Sequence, residues 1–191
     1  LRNYARLCVR AGVTTAADLA NLLPQDAVEM MLRVTGEASF PARIVSLRRW
    51  QNMTVPEIVA RAQELRGQSS DRLRLGIIKV VSDGSIQGFS ARIRWPGYYN
   101  GAPNGLWYVP PEQLREIYQL ALKEGVQIHT HTNGDEATAL VLECMEEALH
   151  KHPSADHRFT LQHCQLADGA QFRKMAKLGM CVNLFPNHHF Y

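Results

Sequence analysis

The sequence lacks most of the features that assign a protein at sight. Its four cysteines, Cys8, Cys144, Cys164 and Cys181, stand far apart with no Cys-x-x-Cys pair. That argues against a disulfide framework and against a zinc knuckle, and reads as buried thiols in a reducing compartment. No apolar run approaches the roughly 20 residues that span a bilayer, and no charged-then-apolar leader opens the chain. Lys and Arg number 21 against 18 Asp and Glu, a net charge of +3. The charge is scattered, without a basic run or an aromatic-basic ladder, so nucleic acid is not an expected partner. No G-x-G-x-x-G or G-x-x-x-x-G-K-[ST] follows any candidate strand, which removes the usual argument for a nucleotide site. The expectation is a soluble, cytoplasmic protein with neither a nucleic acid nor a membrane as partner. The chain begins at Leu1 and stops in NHHFY, and both ends read as cut.

What is present can build a core. At 46% hydrophobic and 20% charged over 191 residues, the composition suits one globular domain, or part of a larger one, and excludes disorder. Helix and strand signals alternate. Leu1 to Ala11 has helical spacing, with Tyr4, Leu7 and Cys8 on one side and Gly12 closing it. VTTAADL, from Val13, is a short strand. QDAVEMMLRVTGE, after Pro24, is a helix with Val28, Met31 and Leu32 apolar. ARIVSLRRW is the second strand, VPEIVARAQELRG a helix opened by Thr54 and Pro56, and LRLGIIKVV the third strand. From Ser82 to Val109 the chain is rich in Gly, Pro, Asn and aromatics and has no steady period. Long loops of this kind are more often functional than idle. Pro110 and Pro111 then open EQLREIYQLALKEG, and a strand runs from Val126. A helix to about His152, the strand RFTLQHCQ, the helix DGAQFRKMAKLG and the strand MCVNLFP complete the chain. Six strands alternating with helices imply an α/β fold with parallel strands and right-handed crossovers. Both an open doubly wound sheet and most of an eight-stranded barrel satisfy that pattern.

The stretch VQIHTHTNGD, Val126 to Asp135, organises the rest. In a strand, Gln127, His129 and His131 share one face, and Val126, Ile128 and Thr130 the other. Asn133-Gly134 ends it, and Asp135 is a good N-cap for the next helix. His131 therefore falls at the carboxyl end of a strand, the edge where parallel α/β folds place chemistry. Two other strands repeat the logic, with Leu75, Ile77 and Lys79 on one and Phe159, Leu161 and His163 on the other. Each carries a nitrogen side chain above deeper apolar residues, as a barrel mouth requires. Singly, a strand histidine is most simply a hydrogen-bonded core residue and a lysine an ion-paired one. Together, Lys79, His131 and His163 make a candidate site for zinc or a similar divalent ion. Asp83 in SDGS and Trp107 in the insertion are candidate substrate contacts, as is His129 below His131. The plain alternatives are an Asp-Gly turn and loop packing. His150, His152 and His157 read as solvated.

IKVVSDGS, QIHTHTNGD with its helix, HRFTLQHCQ followed by a helix and LGMCVNLFPNHH, and GVTTAAD near the start resemble landmarks of the amidohydrolase superfamily. They fall in that order and spacing, and they point to its YtcJ-like or amidohydrolase-3 branch. The resemblance runs from about Gly12 to the end. It implies a parallel (β/α)8 TIM barrel of metal-dependent hydrolase type, incomplete, with about strands 2 to 7 present over residues 1–191 and a long loop at about 82–109. It also implies hydrolysis of C–N bonds in small amide-like substrates by a metal-activated water. Lys79 corresponds to the fourth-strand lysine, carbamylated in many relatives to bridge two metals, while His131 and His163 correspond to the fifth- and sixth-strand ligands. One or two ions, most simply zinc, are implied as cofactor. His188, at the end of the last strand, matches a histidine that relatives hold near substrate. The first-strand His-x-His pair and the eighth-strand Asp, the family's proton shuttle, have no counterpart here, so this piece is expected to be inactive alone. Its open sheet edges suit a homo-oligomer.

Three other readings follow from the same residues. His129-Thr130-His131 is itself a His-x-His pair, although complete strand-helix units precede it. Lys79 in a barrel could form a Schiff base, as in a lyase or aldolase. A non-catalytic α/β assembly module would fold, bind no metal and self-associate.

Overall fold

The structure is a computed structural model that describes residues 1–185 of the chain. It contains two compact units, Leu1–Lys79 and a second from Val80 onward.

In the first unit α1 (Arg2–Arg10), β1 (Thr15–Asn21), α2 (Gln25–Thr35), β2 (Arg43–Arg49), α3 (Val55–Gly67) and β3 (Leu73–Val81, to Lys79 here) alternate as the patterning requires. β1 pairs with β2, and β2 with β3, both parallel. Thr54 begins α3 with a reciprocal capping box to Glu57, which satisfies two backbone donors at the helix start. One apolar layer joins Val28, Met31 and Val34 of α2 and Leu65 of α3 to Ile44, Leu73 and Leu75 of the strands. Each such buried Leu or Ile contributes roughly 1.5–3 kcal/mol of transfer free energy. α1 departs from expectation. Its buried residue is Ala5, whereas Tyr4 and Leu7 are exposed, because the helix approaches the sheet through its smallest side chain.

The face assignment on β3 also changes. Val45 pairs with Arg74 but Leu47 pairs with Ile77, so β3 carries one extra residue, a β-bulge at the position of Gly76. Gly76 sits at φ +86°, and a Cβ there would lie 2.5 Å from Arg66 Cβ and 2.7 Å from the Ala62 carbonyl oxygen of α3. Only glycine meets both conditions. The bulge reverses the alternation. Leu73 and Leu75 point into the helix layer, while Ile77 and Lys79 share the opposite face with Leu47 and Arg49. Leu75 is therefore not beneath Lys79; Ile77 and Leu47 are.

The second unit contains the end of β3, then α4 (Pro111–Lys123), β4 (Ile128–Thr132), α5 (Asp135–Lys151), β5 (Thr160–His163), α6 (Gly169–Lys177) and β6 (Cys181–Leu184). β4 pairs with β5, and β5 with β6, again parallel. Asp168 opens α6 with a capping box to Gln171. On the helix side of the sheet the fully buried Tyr118 of α4 shares a 2.6 Å hydrogen bond with Thr130 and packs edge-on against Phe159, ring centroids 5.5 Å apart. Phe159 and Leu161 thus belong to the helix-facing layer, because Leu161 is in register with Thr130. That reverses the expected face of β5. Among the described residues no helix is long and apolar enough to cross a membrane. Of the cysteines, Cys144 and Cys164 are buried, Cys8 is half-buried and Cys181 is exposed. His157 is not a solvated residue: it packs on Phe159, accepts from that residue's N–H at 3.0 Å and bonds the Leu178 carbonyl at 2.8 Å.

Candidate active site

β4 follows the expected alternation. Ile128, Thr130 and Thr132 are buried, and the half-buried His129 and His131 share the other face. His131 Nε2 lies 3.0 Å from the Gly84 carbonyl oxygen, so the ring donates its Nε2–H there. Asn133 Nδ2 donates to the same oxygen at 2.8 Å and lies 3.2 Å from His131 Nε2. Asn133 Oδ1 is buried without a hydrogen-bond partner. Two residues deeper, both His129 nitrogens face glutamine amides, Gln127 at Nε2 and Gln162 at Nδ1, each at 3.2 Å. Gln127 is fixed in turn by the Arg158 carbonyl at 2.9 Å. A substrate contact by His129 would have to replace one of these amides.

β5 reaches the same place by a different route. In register, Gln162 is the neighbour of His131, and His163 the neighbour of Thr132, so simple alternation would send the His163 ring into the helix layer. His163 instead adopts φ +75° and Cys164 φ +50°. Left-handed backbone at two successive non-glycine residues costs on the order of 1–3 kcal/mol each and marks a site held in place by its surroundings. The result is that the His131 and His163 rings stand 4.7 Å apart, edge to face.

Lys79 is the last residue of the first unit. Its side chain is 4% exposed on the face shared with Arg49. Burial first, and the Arg49 guanidinium second, bring its amine down to about 7. A lysine in that state is neutral over much of the physiological range, as nucleophilic or carbamate chemistry requires.

The Ser82–Val109 loop is ordered by its own polar groups. Asp83 is fully buried, and its carboxylate accepts from the backbone N–H groups of Asn133 (3.0 Å), Gly134 (2.8 Å) and Arg92 (3.1 Å). Burial pushes this carboxyl up, and the three backbone donors pull it back. Asp83 therefore supplies the negative charge at the start of α5, where the helix dipole favours it. Asp135 is not the N-cap; that position is Gly134, and the Asp135 carboxylate accepts from the Arg94 N–H at 2.9 Å. Glu136 holds the loop from the same turn, through Arg92 and Asn104. Gly134 is required, since a Cβ would lie 1.7 Å from the Arg92 carbonyl oxygen. Trp107 is half-buried with the Arg92 guanidinium 4.9 Å from its ring centre, so one of its faces is already covered. Trp95 and Tyr99 are almost wholly exposed. His188 lies outside the described residues. Sequence reasoning missed Asn133 and the Gly84 carbonyl. Their signals were the Asn-Gly directly after the histidine strand and the Asp-Gly after Lys79.

Among the described residues no three or more His, Cys, Asp or Glu side chains gather as a metal cluster. His131 and His163 are brought together as a pair, ring centroids 4.7 Å apart. Comparison with known proteins gives that pair a context. YtcJ of Bacillus subtilis (strain 168), an amidohydrolase by name, is 27% identical over 132 residues, 69% of this chain and 24% of that protein. Arabidopsis thaliana LONG AFTER FAR-RED 3 is 28% identical over 120 residues, 62% of this chain and 20% of that protein. The chain thus spans about a quarter or less of the curated relatives it matches. An uncharacterized metal-dependent hydrolase from Pyrococcus furiosus superposes with a TM-score of 0.74 at 18% identity, over 97% of this chain and 37% of the other. Its fold is the parallel barrel of such hydrolases, present here as an incomplete one. The sequence model described as the amidohydrolase family matches residues 1–191, and the chain belongs to that family, in its amidohydrolase-3 branch.

Proposed function

We propose that this chain is part of the catalytic barrel of a metal-dependent amidohydrolase that cleaves C–N bonds of small amide-like substrates with a metal-activated water. The observation that carries this reading is the pairing of His131 and His163 at the carboxyl ends of β4 and β5, the second ring turned there by left-handed backbone. The residues fit the ion. Neutral imidazoles are good zinc ligands, and a ligating histidine characteristically gives its other N–H to a carbonyl, as His131 gives Nε2–H to Gly84. His131 and His163 would hold the ion. Lys79 keeps the ligand role that the resemblance implies, and its neutral amine can add CO2 to form the carbamate, with loss of a proton. A bound divalent ion lowers the pKa of its water to roughly 7 and polarises a substrate carbonyl. The protein's own part is to fix the imidazoles and to lower the Lys79 amine to about 7. Zinc, one or two ions, and a cytoplasmic setting belong to the same proposal.

Zinc, manganese, iron and nickel per chain, measured after purification without chelator, test it beside a His131→Ala, His163→Ala double variant. Metal bound and then lost in the variant supports the reading; equal metal in both overturns it. The lowered Lys79 amine also favours a second reading, a Schiff-base lyase. Borohydride trapping of a carbonyl compound on Lys79 would select that one, since a carbamylated or ligating lysine is not trapped.

A further inference from the structure

The fully buried Asp83 is more than a loop anchor. We infer that Asp83 and Asn133 are positioning residues that fix the His131 ring through the Gly84 carbonyl. The inference rests on the metal reading proposed above for His131, but the geometry that carries it does not.

Three observations combine. First, Asp83 divides its oxygens, Oδ1 to the Asn133 N–H and Oδ2 to the N–H groups of Gly134 and Arg92. That pins the exit of β3, the exit of β4 and the middle of the long loop to one carboxylate. An amide could not substitute, since it presents one acceptor oxygen and an NH2 that would oppose a donor. Second, the next residue, Gly84, turns its carbonyl onto His131 Nε2 at 3.0 Å, and the Asn133 side chain donates to that same oxygen at 2.8 Å. The β3 exit is also held directly to His131, whose carbonyl accepts from Ser82 N–H at 3.2 Å and Ser82 Oγ–H at 2.6 Å. Third, Asn133 leaves its own Oδ1 buried and without a partner. An orphaned buried acceptor is unfavourable, and it is tolerated here because the side chain is oriented for what Nδ2 does. The Asp83 Oδ1 itself stands 3.7 Å from His131 Nε2. The imidazole is therefore held in one tautomer and one orientation before any ligand arrives, as the hydrogen-bonded partners of ligating histidines characteristically do.

The test uses the full 191-residue chain labelled with 15N-histidine. In metal-free protein, long-range 1H–15N correlation reads which His131 nitrogen carries the proton. Wild type is expected to show Nε2–H alone. Asn133→Ala leaves the Asp83 clamp in place, because that clamp uses the Asn133 backbone; Nε2–H is expected to remain, but with the Gly84 carbonyl no longer fixed the His131 ring correlations are expected to shift and broaden. Asp83→Asn is expected to do the same if it folds. Zinc affinity should fall roughly ten- to hundredfold in each. Asn104→Ala, which cuts the same loop's bonds to Ile93 and Glu136 but touches nothing near His131, is the control and should leave tautomer and affinity unchanged. The inference is overturned if Asn133→Ala leaves the His131 ring correlations and the zinc affinity as in wild type, or if Asn104→Ala weakens zinc binding equally. Zinc failing to bind wild type while the tautomer result holds would count against the metal reading alone.

Discussion

The ends of β4 and β5 deliver the same group by opposite means. His131 sits where a regular strand puts it, and the Gly84 carbonyl holds its ring. His163 sits where a regular strand would not put it, and its backbone is bent to φ +75° to bring the ring over. One histidine is placed by pattern and secured by hydrogen bonds; the other is placed by strain. β3 falls with β5 in this respect, since its break at Gly76 decides which face Lys79 occupies. The lesson is that period-2 reasoning locates where a strand ends but assigns its face only where the strand is unbroken.

The largest expected effect is on the hydrogen-bonded side of this contrast. Asp83→Ala leaves three backbone N–H groups buried and unpaired, at about 1–3 kcal/mol each, so unfolding in urea should show a loss of at least ~3 kcal/mol. Gly76→Ala tests the broken strand. With φ +86° and α3 backbone within 2.8 Å of the new Cβ, a loss of about 3 kcal/mol is expected, together with a shifted β3 register visible in amide exchange.

A pH profile sharpens the placement of Lys79. Its amine is lowered from 10.5 to about 7 in the folded chain. Between those values the unfolded chain binds a proton that the folded chain does not, so this group adds stability as pH rises from about 7 towards 10.5. Below pH 7 the full cost of burying the charge remains. Lys79→Met should therefore be more stable than wild type at pH 6, with the advantage shrinking as pH rises towards 10. Denaturant midpoints for both proteins across that range would show it, and parallel curves would contradict it.

The smallest effect is the most specific to the comparison. His163→Gly relieves a left-handed residue and should leave stability unchanged or raised by ~1 kcal/mol, whereas His131→Gly, in a regular strand, should lower it by ~1 kcal/mol. Equal losses at both positions would remove the distinction between pattern and strain.

Much of this was legible in the sequence. The alternation of helix and strand, the strand ends at Lys79, His131 and His163, the Thr54 start of α3 and the long loop at 82–109 all follow from periodicity and turn chemistry. The faces of β3 and β5 did not follow. A bulge requires knowing that α3 packs onto Gly76, and a left-handed histidine has no local sequence signal. The cap of α5 was misread for a related reason. Asp135 is the nearest carboxylate in sequence, but Asp83, far off along the chain, is the one that reaches the helix start. Nor does composition reveal that Tyr4 and Leu7 of α1 stay exposed, since an amphipathic stripe specifies a face without specifying what covers it.

The most direct test of the central claim is to titrate metal-free, 15N-histidine-labelled chain with Zn2+ and follow every imidazole. If β4 and β5 converge on an ion, the His131 and His163 signals shift together and saturate at the same zinc-to-chain ratio, while those of His150 and His152 stay in place. If the two rings respond separately, or only the other histidines respond, the pair is a packing contact and the metal reading fails.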